Sequence, residues 1–139
     1  MTRPMMHYHK SNFSQFIRER CRDSSTGLVV CDVDYIFRDY RRKKVMIVEE
    51  KTNSDFIPNG EKETLRLIAD GLRHNTLGFD YQGAFVVRVG SVIESDPIHL
   101  AMITNRNLLD FKQVSIETLI GFLGFDISFE EIDCLQTTQ

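Results

Sequence analysis

Two acidic residues and a lysine stand at the ends of the two most strand-like segments of the chain. Asp34 lies near the end of the apolar run GLVVCDVDYIF, and Glu49 and Lys51 close the segment KKVMIVEEKT. Carboxylate oxygens are the ligands that hard divalent cations prefer, and a lysine ammonium is a compact positive charge on a flexible stem. These residues could hold a divalent cation beside an ammonium group, provided that they share one face of a sheet.

The basic segment between the two runs predicts an antiparallel hairpin, because the connection is short. Side chains alternate between the faces of a strand, so a turn over residues 40–43 places Asp34 opposite Glu49 and Asp32 opposite Lys51, all on one face. A two-residue turn over the two arginines gives the same pairing, but such turns need a positive φ that arginine resists. A slip of one residue would instead send the acids to opposite faces.

Like charges directly opposed in a sheet destabilise it, so the predicted pair of carboxylates needs a compensating charge. A divalent cation would supply that charge, with the nearby lysine as a second positive group. The register therefore predicts a metal site on one face of the hairpin. The alternative is an unrelated α/β domain whose acids are exposed on a solvated sheet face.

Apolar periodicity and turn residues divide the chain into helices and strands. The stripe Leu65, Ile68, Ala69 and Leu72 has helical spacing, whereas the valine- and isoleucine-rich segments read as strands. The predicted elements are a helix over 11–22, strands over 27–40 and 43–52, a helix over 61–74, strands over 83–90 and 97–104, a helix over 115–125 and a short last helix over 128–135. The order helix, two strands, helix, two strands, helix is typical of an α/β or α+β domain with a mixed sheet.

The composition is that of a globular protein. The chain has 139 residues, of which 42% are hydrophobic, so we expect one domain over 1–139 with a flexible N-terminus over 1–10. No apolar run is long enough to span a membrane, no signal peptide is visible, and the three cysteines show no metal or disulfide spacing, which favours a cytoplasmic protein without membrane partners. The net charge of −3 argues against a general nucleic-acid coat, although residues 1–51 carry 11 basic and 7 acidic side chains.

The segment DYIFRDYRRKKVMIVEEK resembles the active-site hairpin of the PD-(D/E)XK nuclease superfamily, which includes type II restriction enzymes, Holliday-junction resolvases and RecB-like nucleases. The resemblance assigns Asp34 to the motif aspartate, Glu49 to the acid of the triplet and Lys51 to its lysine. It implies a restriction-endonuclease-like core of helix, hairpin, helix and strand, with a mixed central sheet flanked by helices. Val33 stands where the motif has proline, and the Q-x-x-x-Y signature of RecB-like members is missing from the helix that follows.

By this resemblance, the carboxylates of Asp34 and Glu49 and the backbone carbonyl of Glu50 would hold Mg²⁺ or Mn²⁺. Lys51 would orient the attacking water or stabilise the developing charge. The protein would then be an endonuclease that hydrolyses phosphodiester bonds of DNA. A chain without room for a separate recognition domain favours recognition of DNA structure or ends over base sequence, and cutting both strands would favour a homodimer.

Two further acids are candidate metal ligands. Glu19, on the first predicted helix, matches an acid that some relatives use, and a solvated acid at the flank of the helix is its alternative role. Asp32 lies two residues before Asp34, on the same predicted face. A catalytically inactive relative on the same fold, which binds nucleic acid or protein, is the alternative to a nuclease.

The predicted hairpin turn is strongly basic. Its cationic side chains would contact DNA phosphates across the groove from the metal. The alternative is a solvated hairpin tip whose charge blocks association of strand edges. The side chains concerned are Arg38, Arg41, Arg42, Lys43 and Lys44.

Overall fold

The structure is a computed structural model that describes residues 12–21, 24–26, 33–51, 57–90, 97–106 and 108–137. The chain divides into two compact units, residues 1–30 and residues 31–139, which are described separately. In the first unit, helix α1 spans Asn12–Arg20 and a short 3₁₀ turn spans Ser24–Thr26. The predicted flexible segment 1–10 lies outside the described residues, and the prediction of a single domain stays a prediction.

In the second unit, the described residues form a five-stranded mixed sheet and three helices. Its elements are β1 (Tyr35–Asp39), β2 (Lys44–Glu50), α2 (Asn59–Arg73), β3 (Asp80–Arg88), β4 (Ile98–Met102), β5 (Lys112–Val114), α3 (Ile116–Leu123) and α4 (Phe129–Thr137). The strands lie in the order β1-β2-β3-β4-β5, and only the pair β2 and β3 is parallel among these five strands. None of the helices in the described part of the chain is long and apolar enough to cross a lipid bilayer.

The predicted mixed α/β class is confirmed, but the predicted order of elements is not. The short strand β5 follows β4 before the two final helices, and the sequence pattern does not reveal it. The first strand also differs from its predicted range, because β1 begins at Tyr35 and Asp34 therefore directly precedes it. Residues 27–32 of that predicted strand lie outside the described ranges.

The hairpin of β1 and β2 has the register that the sequence predicts. The antiparallel ladder runs from Tyr35 opposite Val48 to Asp39 opposite Lys44, and residues 40–43 form the turn. The Asp39 side chain accepts the backbone N–H groups of two turn residues at 2.9 Å each, which is how aspartate commonly stabilises a turn. The last turn residue has a φ of 58°. This ladder fixes which side chains of the two strands share a face.

The two faces of the sheet pack against different helices. Met46 and Phe85 belong to one buried cluster, together with side chains of α3 and α4. Ile47 belongs to a second buried cluster with Leu65 of α2. Strand β2 is therefore covered on both faces, which accounts for its continuous apolar run. Alternation along β2 places Glu49 on the same face as Ile47, the face that α2 covers.

Helices α3 and α4 begin with local capping signals. The Ser115 hydroxyl accepts a backbone N–H of the first turn of α3 at 3.1 Å. Ser128 and Glu131 exchange hydrogen bonds at the start of α4, which forms a capping box. Gly121 inside α3 lies against Ile127, since a Cβ at this position would lie 2.6 Å from the Ile127 Cδ1 atom. The glycine therefore allows the segment between the two helices to fold back closely onto α3.

Candidate functional site

The first two candidate ligands meet where the hairpin ladder ends. The backbone N–H of Asp34 donates to the Glu49 Oε1 atom at 3.4 Å. The backbone N–H of Glu50 donates to the Asp34 Oδ2 atom at 2.8 Å. Asp34 thus occupies the position that continues the ladder beyond Tyr35, opposite Glu49. The structure brings these two acids together, as the predicted register requires.

Glu49 is a buried carboxyl group. Its exposed fraction is 3%, and Glu49 and Lys62 are the two charged residues that are buried in the described part of the chain. Burial, followed by the charge of Asp34 and a side-chain hydrogen bond with Asp34, raises the pKa of Glu49 to about 8, although the hydrogen bond from the Asp34 N–H acts in the opposite direction. In the absence of a cation, the Glu49 carboxyl therefore holds a proton at neutral pH.

The backbone of Glu50 faces Asp34. Its N–H donates to the Asp34 carboxylate, and the N–H and C=O of one residue in a strand point to the same neighbouring strand. The Glu50 carbonyl is therefore directed to the β1 side of β2, the side on which the Asp34 carboxylate lies. The Glu50 side chain is exposed. Burial, followed by the charges of Glu50 and Asp34, raises the pKa of the Tyr35 hydroxyl, so this phenol stays protonated.

Lys51 follows β2 directly and forms an ion pair that the sequence does not predict. Its N–H donates to the Val87 carbonyl of β3 at 3.0 Å, which continues the parallel pairing. Its ammonium lies 2.9 Å from the Glu61 Oε2 atom, and each side chain is 21% exposed. Glu61 belongs to the first turn of α2 and also contributes to the raised pKa of Glu49. The structure therefore adds Glu61 to the candidate site.

No sequence signal singles out Glu61. An acid in the first turn of a helix is common, because it interacts favourably with the helix dipole. The contact with Lys51 depends on how α2 packs on the sheet, and a segment outside the described ranges separates α2 from β2. Only the folded arrangement places this carboxylate beside the lysine.

The remaining candidate ligands are placed as follows. Asp32 lies outside the described residues. Glu19 is an exposed residue of α1 in the first unit, and it is described with that unit alone. Within the described ranges, no group of three or more histidine, cysteine, aspartate or glutamate side chains could hold a metal ion. The predicted ion would therefore depend on Asp34, Glu49 and a backbone carbonyl.

The chemistry of this donor set fits a hard divalent cation. Mg²⁺ is usually bound by one or two carboxylates, with waters and substrate phosphates as its other ligands. Lys51 is paired with Glu61, so the Asp34 and Glu49 pair keeps two potential negative charges on oxygen donors. One divalent cation would balance these charges and would remove the need to protonate Glu49. The residues present are thus suited to Mg²⁺ or Mn²⁺.

Several basic side chains near the hairpin turn interact with neighbouring acids or rings. Arg42 lies 2.9 Å from Asp39 and 2.5 Å from Asp126. The Arg41 guanidinium lies 5.6 Å from the centroid of the neighbouring tyrosine ring, and Lys44 is partly buried at the start of β2. Both arginines are exposed, but the charge of Arg42 is offset by neighbouring acids.

Arg38 and Lys43 both approach the ring of Phe79, at 5.3 Å and 5.0 Å from its centroid. Both cations are exposed, and Arg38 shares a strand face with Asp34. The turn lies at the opposite end of β1 from Asp34 and begins after Asp39, which is about 17 Å from Asp34 for a rise of 3.3 Å per residue. The structure therefore brings the predicted acids together and places the predicted basic turn away from them.

Comparison of the chain with known proteins finds no matching family model, no matching curated protein and no matching solved structure. The geometry of the site is therefore the basis for assigning a class. That geometry is a buried carboxyl and an exposed carboxylate at the end of a β-hairpin, followed by a lysine that pairs with a helix-borne glutamate.

The metal-free protein is expected to lose stability as the pH rises from 4.5 to about 8. Over this range the folded Glu49 carboxyl holds a proton that the unfolded chain has released, because folding raises its pKa from 4.5 to about 8. This group should lower the free energy of unfolding by about 1.4 kcal/mol per pH unit. The fall should stop above the folded pKa, where the carboxyl is ionised in both the folded and the unfolded state.

Urea denaturation in EDTA across this pH range measures the effect. The same series on Glu49→Gln measures the pH dependence of stability that all the other titrating groups contribute. The difference in the free energy of unfolding between the two proteins is therefore the contribution of Glu49. A difference that stays constant from acidic to mildly alkaline pH would contradict the raised pKa.

Proposed function

We propose that the protein is an Mg²⁺- or Mn²⁺-dependent endonuclease that hydrolyses phosphodiester bonds of DNA. The observation that carries the proposal is the contact between Asp34 and Glu49 at the end of the hairpin, with a 3.4 Å hydrogen bond from the Asp34 N–H to the Glu49 carboxyl. Lys51 follows two residues after Glu49, which gives the spacing of the (D/E)XK triplet. The proposal therefore rests on residue types, spacing and proximity together.

The order of elements around the hairpin also supports a PD-(D/E)XK-type core. Strands β1 and β2 form the hairpin, α2 follows, and β3 returns parallel to β2. This arrangement agrees with the hairpin, helix and strand that the resemblance implies. The triplet then lies at the carboxyl end of β2, beside the first turn of α2. We propose that this unit is the catalytic core.

The proposed ligands are the carboxylates of Asp34 and Glu49 and the carbonyl of Glu50. When bound, the divalent ion would polarise the scissile phosphate and lower the pKa of a water molecule. Glu49 would release its proton on binding the ion, because a ligating carboxylate must be ionised. Lys51 would place its ammonium where it can orient the attacking water or stabilise negative charge on the phosphate.

The proposed substrate is DNA that is recognised by its structure or its ends. The exposed cations Arg38, Arg41 and Lys43 would contact phosphates at a distance from the reacting bond. Cleavage of both strands of a duplex would require a second active site, and we propose that a homodimer supplies it. We propose that the protein acts in the cytoplasm.

Cleavage of a panel of labelled DNAs tests the proposed function. The panel contains a blunt duplex, a single strand and a four-way junction, each incubated with Mg²⁺, with Mn²⁺ or with EDTA. We expect cleavage of at least one DNA with either metal ion and none in EDTA. The absence of cleavage from every DNA with both metal ions would contradict the proposal.

A second candidate function is a catalytically inactive module of the same fold that binds nucleic acid or protein. The ion pair between Lys51 and Glu61 favours it, because this pairing could hold the ammonium away from a phosphate. Gel-shift measurements on the same panel separate the two functions, since the inactive module would bind DNA without cutting it. Chemical-shift changes at Asp34 and Glu49 during a Mg²⁺ titration would exclude an unrelated domain that has no metal site.

A further inference from the structure

The ion pair between Lys51 and Glu61 joins the end of β2 to the first turn of α2. The ammonium and carboxylate are 2.9 Å apart, and both side chains are four-fifths buried. A pair in this environment is screened by water less than a surface pair, so it restrains both side chains. Lys51 continues the strand pairing two residues after Glu49, so alternation along the strand directs both side chains to the same face of the sheet.

We infer that Glu61 is a positioning residue that holds the Lys51 ammonium beside the Asp34 and Glu49 pair without letting it occupy their oxygens. The inference rests on the proposed function and extends it to a residue that the PD-(D/E)XK pattern does not contain. Glu61 would touch neither the metal ion nor the substrate, and it would act through Lys51.

The charges of the cluster explain why such a residue is needed. A lysine ammonium beside two carboxylates would pair with them and would compete with the cation for their oxygens. Glu61 gives the ammonium a separate counter-charge, so Asp34 and Glu49 remain available to one divalent ion. With the ion bound, three carboxylates, one ammonium and one divalent cation sum to zero charge.

The mobility of lysine gives a second reason. The side chain has four rotatable bonds, so fixing it in one position costs rotamer entropy. An ion pair that is already formed in the free protein meets part of this cost before the substrate binds. The ammonium would then be in place when charge develops on the phosphate, which is the condition for electrostatic catalysis.

The variant Glu61→Gln tests the inference, with Glu63→Gln as a matched control. Glu63 lies two residues further along α2, is exposed, and has the same chemistry. We expect Glu61→Gln to lower kcat on the best-cleaved DNA by about 10- to 100-fold and to weaken Mn²⁺ binding severalfold, as loss of residues that orient a metal site commonly does. The KM for DNA should change less than twofold.

Mn²⁺ binding is measured without DNA, from the loss of the electron paramagnetic resonance signal of the free ion. The variant Glu61→Asp keeps the carboxylate on a shorter side chain and should recover part of the lost kcat. Thermal unfolding of all variants shows whether a loss of activity reflects a loss of fold. If Glu61→Gln does not fold, the comparison of Glu61→Asp with the wild type tests the inference instead.

Three results would overturn the inference. They are wild-type kcat and Mn²⁺ affinity in Glu61→Gln, an equal loss in Glu63→Gln, and a Glu61→Asp variant that is no more active than Glu61→Gln. A wild-type protein that binds Mn²⁺ but cleaves no DNA would instead contradict the proposed function. In that case, the Mn²⁺ affinity of Glu61→Gln would still test whether Glu61 keeps the ammonium away from the acid pair.

Discussion

The substitution Lys51→Ala is expected to abolish metal-dependent DNA cleavage while the protein stays folded. In the proposed mechanism, Lys51 is the cation of the protein that lies next to the reacting phosphate. Removal of one preorganised group that stabilises developing charge commonly lowers kcat by about 10²- to 10³-fold. The side chain is partly exposed and lies just after the end of β2, so its loss should leave the sheet intact. Single-turnover cleavage in Mg²⁺, together with thermal unfolding, measures both parts of the expectation.

Two further variants serve as controls for this result. Arg66→Ala removes an exposed cation from α2 and should leave cleavage unchanged. Lys51→Arg keeps a positive charge but replaces a compact ammonium by a longer planar group, so it should recover little activity. Wild-type turnover by Lys51→Ala would show that the lysine has no catalytic role.

The substitution Glu49→Gln is expected to have opposite effects on function and on stability. It should abolish divalent-ion binding and cleavage, because a neutral amide is a poor replacement for an ionised ligand. It should also stabilise the metal-free protein by an amount that grows as the pH rises from 4.5 to about 8 and is complete above that, since the unfolded wild-type chain releases the Glu49 proton in this range while the folded protein keeps it. The stability gain should reach a few kcal/mol, at about 1.4 kcal/mol for each pH unit of the raised pKa.

Calorimetric titration with Mn²⁺ and urea denaturation in EDTA measure the two effects on one preparation. The glutamine amide can still accept the Asp34 N–H and can donate to the Asp34 carboxylate, so the local hydrogen bonds should persist. Glu63→Gln, an exposed change of the same kind, should alter neither quantity. A variant that loses stability at alkaline pH, or that binds Mn²⁺ like the wild type, would contradict the role of Glu49.

The hairpin and its register could be predicted from the sequence for physical reasons. The two apolar runs are separated by a short basic segment, and a four-residue turn leaves Asp39 opposite Lys44, as the structure has it. Because side chains alternate with a period of two, this one pairing determines the face of every residue in both strands. The mutual approach of Asp34 and Glu49 follows from local geometry, and the sequence was sufficient to predict it.

Other features depend on contacts between distant segments, and the sequence pattern could not reveal them. Strand β5 has three residues, Lys112–Val114, and forms because β4 offers an edge with which it pairs. Glu61 approaches Lys51 because α2 packs on the sheet face of Ile47. The raised pKa of Glu49 likewise depends on burial by the folded chain, which a strand pattern does not measure.

The length of the hairpin has a consequence for the size of the substrate. About 17 Å separates Asp34 from Asp39, the last residue before the basic turn, at 3.3 Å per residue along β1. Phosphates along one strand of a duplex are spaced by about 3.4 Å of helix axis, so this span corresponds to about five nucleotides. A dinucleotide could therefore reach the acids without meeting Arg41, whereas an oligonucleotide of half a helical turn could contact both. If the proposed function holds, tight binding before cleavage should therefore require a minimum oligonucleotide length, which the length of the hairpin sets.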